Sequence, residues 1–132
     1  MSDKPVAAKL LIRPGSTVWI SDPARAALVA PLPDGARVVP NPDGAATAVA
    51  FVDDAAAVRA LLDRHAAALR SAAAFWVVYR KANRADINRD SLWPLLGEHG
   101  FRPITQVAID EEWSALRFRP LKPGEQSGDA AG

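Results

Sequence analysis

Four cations lie close together in the polar segment "RKANRADINRD", which follows an apolar run: Arg80, Lys81, Arg84 and Arg89. Guanidinium and ammonium groups placed just before a helix would hold a phosphate or a carboxylate through charge-assisted hydrogen bonds. The alternative is a solvated loop in which these cations pair with Asp86, Asp90 and Glu98. Such surface ion pairs are common and individually weak. The first interpretation makes the segment a candidate anion-binding site.

Acidic residues also follow two other apolar runs: Asp22 follows the first, and Asp53 and Asp54 follow the second. If these runs are strands, the three carboxylates lie at strand ends, where they could take part in acid–base chemistry. Each of them also occupies a position where a helix N-cap belongs, so that its carboxylate would accept hydrogen bonds from free backbone N–H groups. The same choice applies to Asp86 and Asp90, because a metal site needs several converging carboxylates, which one segment does not supply. We interpret these acids as helix caps and expect no metal site.

The two histidines give little support to a catalytic site. His65 lies three or four positions from Leu61, Leu62 and Leu69, on the apolar side of a predicted helix, and no nucleophile is recognisable near it. We interpret it as a packed, hydrogen-bonded histidine at the edge of a layer rather than a buried base. His99 stands at a helix C-terminus, where a partial positive charge suits the helix dipole. The chain has no cysteine, which excludes thiolate catalysis and sulfur-ligated metals, and the catalytic residues, if any, stay unidentified.

Tryptophan is frequent for a chain of 132 residues, with four positions: Trp19, Trp76, Trp93 and Trp113. Tryptophans interleaved with arginines can stack on nucleic-acid bases. These four are instead scattered over different predicted elements, which favours packing in the core. One or two of them at a strand edge would mark a protein interface, where tryptophan and arginine are enriched.

Turn residues and apolar runs divide the chain into alternating strands and helices. The order is strand, helix, strand, strand, helix, strand, helix and two final strands, with "STVWIS", "ATAVAFV" and "AFWVVY" as the clearest strands. This alternation favours a mostly parallel sheet covered on both faces, and two last strands joined by a tight turn must be antiparallel. We predict an α/β fold: a small three-layer Rossmann-like domain over residues 9–120 with a C-terminal antiparallel hairpin, between disordered tails over residues 1–8 and 121–132.

The stretch "DEEWSALRFRP" combines acids, arginines and aromatic residues and forms the last predicted strand. Strand alternation places Leu116 and Phe118 on one face, towards the core, and Trp113 and Arg117 on the other. The acids at residues 110–112 mark the hairpin turn. Arg117 is then a half-buried charge, which we interpret as structural and which needs an acidic partner, with Asp86, Asp90 and Asp110 as the candidates.

Two segments, "FWVVYRKANRADINRDSLWPLL" and "DEEWSALRFRP", resemble a bacterial family of small Rossmann-like proteins known only as a domain of unknown function. The resemblance covers roughly residues 8–120. The residues that carry it as a structural signature are Lys81, Asp86, Asp90, Asp110, Trp113 and Arg117. The family implies a fold and no activity.

The first strand, "IRPGSTVWI", and the final antiparallel pair also resemble class I methyltransferases. A nucleotide-type cofactor needs a glycine-rich turn after the first strand and an acid after the second. This chain has "SDPARAA" and "VVPNP" at those places. We therefore expect a methyltransferase-like fold that binds neither S-adenosylmethionine nor NAD, and we assign no cofactor.

The formal net charge of +1 gives the whole chain no attraction to nucleic acid or to an anionic membrane. No window approaches a transmembrane span and no signal peptide is visible, so we expect a cytoplasmic protein. Two functions stay open. The first is a non-catalytic, Rossmann-like module that binds a protein partner or forms a homodimer. The alternative is a binder of a small anionic ligand, or a degenerate methyltransferase-like enzyme, that uses the loop after the fourth strand. The sequence does not decide whether the chain is an enzyme, and we favour a protein without catalytic activity.

Overall fold

The computed structural model describes residues 6–81 and 89–121, and it shows one six-stranded sheet with helices on both faces. The strands are β1 (Thr17–Ile20), β2 (Arg37–Val39), β3 (Thr47–Phe51), β4 (Ala74–Arg80), β5 (Phe101–Ala108) and β6 (Trp113–Pro120). The α-helices are α1 (Val6–Lys9), α2 (Ala55–Ser71) and α3 (Arg89–Gly97), and a 3₁₀ helix spans Pro23–Leu28. None of the helices in these described ranges is long and apolar enough to cross a bilayer.

The strand order in the sheet is β2-β1-β3-β4-β6-β5. The first four strands are parallel, whereas β6 runs antiparallel between β4 and β5. The predicted α/β Rossmann-like fold with a C-terminal antiparallel pair is therefore confirmed. The chain moves from β1 outwards to β2 and then crosses to β3 on the other side of β1. This reversal defines a topological switch point between β1 and β3, where open α/β sheets bind their ligands.

The central strands are buried on both faces, as their continuous apolar sequences predict. All five residues of β3 are buried, and so are six of the seven residues of β4. The core has two halves, one on each face of the sheet. Helices α2 and α3 cover the half that contains Trp19, Leu116 and Phe118. The other half, with Trp76 and Trp113, packs against apolar residues of α1 and the 3₁₀ helix. The predicted alternation along β6 is confirmed, and so is the burial of Trp19, Trp76 and Trp113, whereas Trp93 is half-buried.

The N-terminal boundary of the domain differs from the prediction. Residues 6–8, which we assigned to a disordered tail, belong to α1, and Ala7 is buried in the core. The indole N–H of Trp76 donates to the carbonyl of Leu10 at 2.9 Å, which ties the end of this helix to the sheet. A four-residue helix has no visible periodicity, so only this packing reveals it. The rest of the predicted tails lies outside the described residues, except Leu121, whose N–H donates to the carbonyl of Gly100.

Candidate functional site

The carboxyl ends of β1, β3 and β4 meet along one edge of the sheet, which we call the rim. It is built by residues that directly follow these strands, together with the turn between β5 and β6. Because β6 is antiparallel to β4, its first residue, Trp113, lies opposite Arg80, the last residue of β4. The rim is thus the place where this topology would present a ligand site.

The crevice at the switch point is tied together by Ser21. Its backbone N–H donates to the carbonyl of Val49 at 2.9 Å, and its hydroxyl accepts a hydrogen bond from the N–H of Phe51 at 2.7 Å. These two bonds extend the pairing of β1 and β3 past the end of β1. The next residue, Asp22, accepts from the N–H of Ala24 at 3.1 Å and caps the 3₁₀ helix. A backbone N–H that a ligand phosphate would use at this turn is therefore bound to a carboxylate of the chain itself.

Five charged side chains form a chain of ion pairs across the rim, here called the rim network: Asp22, Arg25, Asp53, Arg80 and Glu112. Arg25 binds Asp53 through both terminal nitrogens, at 3.1 and 3.3 Å, and its Nε lies 3.3 Å from Asp22. Arg80 lies 3.9 Å from Asp53 and also binds Glu112. Three carboxylates thus face two guanidinium groups, so that neither arginine has an unbalanced charge for a ligand.

Trp113 forms the floor of this network. The guanidinium carbons of Arg25 and Arg80 lie 4.9 and 4.5 Å from its ring centroid, which is cation–π geometry. Phe51 meets the same ring edge to face at 5.9 Å between centroids. Trp113 is only 5% exposed, because the two arginines cover it. The aromatic surface that a planar ligand would stack on is occupied by the protein's own cations.

The turn between β5 and β6 is held by its first acid. Asp110 Oδ1 accepts from the N–H groups of Glu112 and Trp113 at 2.7 and 2.8 Å. Lys81 fastens this turn to the end of β4, since its N–H donates to the carbonyl of Glu112 and its Nζ to the carbonyl of Asp110 at 2.6 Å. Lys81, Asp110 and Trp113 thus meet here and hold the turn against the end of β4.

The predicted anion-binding residues are brought together only in part. Arg80 and Lys81 lie at the rim, whereas Arg84 and the side chain of Arg89 lie outside the described residues. Among the described residues, the acids that pair with Arg80 are Asp53 and Glu112, because the neighbouring strands bring these distant residues to the end of β4.

Two of the three strand-end acids act as predicted. Asp22 and Asp54 are N-caps, and Asp54 accepts from the N–H of Ala57 at 2.8 Å. Asp53 is instead the centre of the rim network. The sequence interpretation missed Arg25. Its position three residues after Asp22 could have predicted an ion pair, because residues three apart are neighbours on one helical turn.

Asp110 is not the predicted acidic partner of Arg117, because its carboxylate holds the turn at the rim. Arg117 lies four residues beyond Trp113, the first residue of β6, and is therefore roughly 13 Å from this turn at the rise of an extended strand. Its Nη2 donates to the carbonyl of Ala73 at 3.1 Å, at the opposite end of β4. The side chains of Asp86 and Asp90, the other predicted partners, lie outside the described residues.

The histidines have no catalytic arrangement in the described part of the chain. His65 meets Trp19 edge to face at 5.2 Å between centroids. The two rings line a cleft of about 390 Å³ beside the switch point, together with Asp22 and Arg64. His99 is joined through Nδ1 to the carbonyl of Leu95 at 3.2 Å, which is a helix-terminal contact. Within the described ranges there is also no group of three or more metal-ligating side chains.

Fold and rim together define a domain with a Rossmann-like, methyltransferase-like fold, in which ion pairs cover Trp113 at the rim and a cleft lies beside them at the switch point. No protein-family profile matches the chain, and no curated protein matches it. Two solved structures share the fold. The Sp1610 protein of Streptococcus pneumoniae, whose proposed activity is tRNA (m1A22) methylation, superposes with a TM-score of 0.56 at 8% identity over 99% of this chain and 75% of that one. A protein of the NADB-Rossmann superfamily from Streptococcus agalactiae gives a TM-score of 0.56 at 9% identity over 92% of this chain and 70% of its own.

Proposed function

We propose that this chain is a non-catalytic binding module, a methyltransferase-like domain in which its own charged side chains occupy the rim beside the crevice at the switch point. The observation that carries the proposal is the rim network over Trp113. Arg25 and Arg80 each bind a carboxylate and cover the indole ring, while Ser21 joins β1 to β3. A nucleotide-type cofactor would have to displace these contacts, and it would find no glycine in the turn after β1.

The cofactor part of the proposal is tested by thermal shift and titration calorimetry with S-adenosylmethionine, S-adenosylhomocysteine and NAD. We expect no stabilisation at cofactor concentrations that stabilise an active methyltransferase run in parallel, because a ligand raises the melting temperature only if it binds the folded state. Saturable binding of any of the three cofactors would overturn the proposal.

The binding surface that we propose is the open edge of β5. This strand pairs only with β6 in the described part of the sheet, and residues 104–106 are exposed. Pro103 and a bulge at Ile104 interrupt the first half of the strand, since the register jumps between Pro103 and Thr105. A partner strand would therefore pair along residues 105–108 and contact Ile104, which is 46% exposed. The simplest partner is a second copy, because two identical edges can pair antiparallel about a twofold axis.

Light scattering and sedimentation over a concentration series test this surface. We expect reversible dimerisation, which Ile104→Lys abolishes by placing a charge on the edge. Val38→Lys is the matched control, because Val38 is 55% exposed on the opposite edge, where β2 has only three residues. A wild-type protein that stays monomeric at every concentration, or an Ile104→Lys variant that still dimerises, would contradict the edge-pairing proposal.

A second candidate, the binding of a small anion beside the end of β4, is favoured by one specific contact. The Nζ of Lys81 binds a backbone carbonyl at 2.6 Å and no carboxylate among the described residues, so its charge is not neutralised there. Phosphate or a metabolite phosphate would then stabilise the protein, and both Lys81→Ala and Arg84→Ala would remove the effect. No stabilisation by any anion, or the same stabilisation in both variants, would exclude this candidate.

A further inference from the structure

A cleft of about 290 Å³ opens at the amino ends of β1, β3 and β4, at the end of the sheet opposite the rim. Its walls include Leu11, Arg13, Ala46, Ala73 and Arg117. Neither the rim network nor the edge of β5 contributes to it. Two arginines in one cleft of this size form a cluster of charge that the proposed function does not use.

Arg117 reaches this cleft from β6 and is only partly satisfied. Its Nη2 donates to the carbonyl of Ala73 at 3.1 Å, but its Nε is buried and has no hydrogen-bond partner among the described residues. A buried donor without an acceptor is costly, and native structures seldom leave one without water or a ligand. The carbonyl of Ala73 holds one terminal nitrogen of the guanidinium group at the amino end of β4.

Arg13 supplies a second cation to the same cleft from the loop before β1, where its side chain is exposed. Over the described ranges, neither Arg13 nor Arg117 lies within ion-pair distance of a carboxylate. Arg25 and Arg80 at the rim differ, since both are paired. Two guanidinium groups that border one cleft and have no carboxylate partner among the described residues are suited to an oxyanion, which accepts charge-assisted hydrogen bonds from both.

Leu11 forms an apolar wall of the cleft in an unusual backbone conformation. Its φ is 65°, in the left-handed region that favours glycine, and its side chain is 46% exposed. The N–H of Ile12 donates to the carbonyl of Ala7 at 3.0 Å, and that of Leu11 to the carbonyl of Ala8 at 3.1 Å, so Leu11 has the place of the glycine that commonly ends a helix. A strained residue that lines a cleft is a reason to look for a ligand.

We propose that this cleft binds a small organic anion. The carboxylate or phosphate group lies between Arg13 and Arg117, and a short apolar body packs against Leu11 and the alanines of the strand ends. The volume is near the lower limit of about 300 Å³ for ligand sites, so the ligand has only a few carbon atoms. The site is independent of the proposed partner edge, since it lies at the amino ends of the parallel strands.

The test is calorimetry and thermal shift with butyrate, with a butyl phosphate monoester and with inorganic phosphate. We expect saturable binding of at least one of them. Butyrate alone identifies a carboxylate ligand, the ester alone a phosphorylated one, and binding of inorganic phosphate shows that the anionic group suffices. Arg117→Met keeps most of the side-chain stem and should weaken binding about tenfold or more, which is the expected loss of a charge-assisted hydrogen bond.

Three further variants make the result decisive. Arg13→Met changes an exposed residue and should also weaken binding, so it answers the question even if Arg117→Met does not fold. Leu11→Gly should weaken binding while the melting temperature stays the same or rises. Ile104→Lys should bind the anion like the wild type, which separates this site from the proposed partner edge. No saturable binding of any probe, or equal binding in Arg13→Met and the wild type, would overturn the proposal.

Discussion

The arginines at the two ends of the sheet differ in their partners. At the rim, Arg25 and Arg80 each bind a carboxylate and stack on Trp113. At the amino end, Arg117 is held by a backbone carbonyl and leaves its Nε without a partner among the described residues. The rim is the edge at which a Rossmann-like fold binds its ligands. In this chain the arginines at that edge are packed on an aromatic ring and paired with acids.

This difference shows that the fold alone does not say where in the molecule a ligand would bind. A methyltransferase-like sheet implies a ligand at the carboxyl ends of its strands, and in this chain five charged side chains occupy part of that edge, beside the cleft at the switch point. Among the described residues, an arginine with an unpartnered buried Nε and a leucine with a strained backbone are found at the other end, at Arg117 and Leu11. Function has to be argued from such local features, because one fold supports many unrelated activities.

The largest effect that we expect comes from Trp113→Ala. The substitution removes a buried ring together with the surface on which Arg25 and Arg80 stack. We expect a loss of about 3–5 kcal/mol in the free energy of unfolding, measured by urea denaturation, as for other large-to-small substitutions in a core. Trp113→Phe keeps an aromatic ring and should recover more than half of this loss. Equal stability of Trp113→Ala and the wild type would show that the rim is an open ligand site and not a packed one.

A smaller effect is expected from Asp53→Asn, which leaves each rim arginine with one acidic partner, Asp22 for Arg25 and Glu112 for Arg80. Arg25 and Arg80 lose the acid that they share, but Asp53 is largely exposed, so the cost should stay below about 1 kcal/mol and disappear at high salt. We also expect the Asp53→Asn variant to bind phosphate at the rim more tightly than the wild type does, which calorimetry would detect.

Asp63→Asn is the control for that substitution. It removes a more exposed carboxylate, whose ion-pair contact among the described residues is the His99 ring at 3.7 Å, and it should change neither stability nor phosphate binding. If Asp53→Asn also gains no phosphate binding, acid pairing is not what keeps the rim closed to anions.

The sequence predicts the architecture because its signals are local. The runs that became β3 and β4 are continuous and apolar, which is typical of strands buried on both faces. The caps of the helices, Asp22 and Asp54, stand directly before the residues that they cap. Alternation along β6 likewise assigns Leu116 and Phe118 to one half of the core. None of these inferences requires knowledge of which strands are neighbours.

The rim network could not be predicted, because it depends on that knowledge. Arg25 and Asp53 are 28 positions apart, and Arg80 and Glu112 are 32 apart. They meet only because β1, β3, β4 and β6 are successive strands of the sheet. The same holds for the amino-end cleft, where Arg117 meets Ala73 across the pairing of β6 with β4. The sequence interpretation therefore sought the partners of Arg80 nearby in the chain.

The smallest change in stability is expected from Leu11→Gly, which tests the amino end of the sheet. A leucine in the left-handed region carries about 1 kcal/mol or more of strain, which glycine does not have. Glycine loses more backbone freedom on folding, however, at a cost of roughly 0.5–1 kcal/mol. The two terms nearly cancel, so chemical denaturation should show a change between zero and about 0.5 kcal/mol in favour of the variant.

Gly44→Ala measures the strain term within the same protein. Gly44 has a φ of 76°, and a methyl group built on it would meet no atom within 4 Å, so its substitution introduces left-handed strain without a new contact. We expect Gly44→Ala to lower the free energy of unfolding by about 1 kcal/mol. A clear loss of stability in Leu11→Gly beside this result would mean that the leucine side chain stabilises the fold. Its place in the cleft would then be explained by packing, and the contrast between the closed rim and a ligand-ready amino end would rest on the arginines alone.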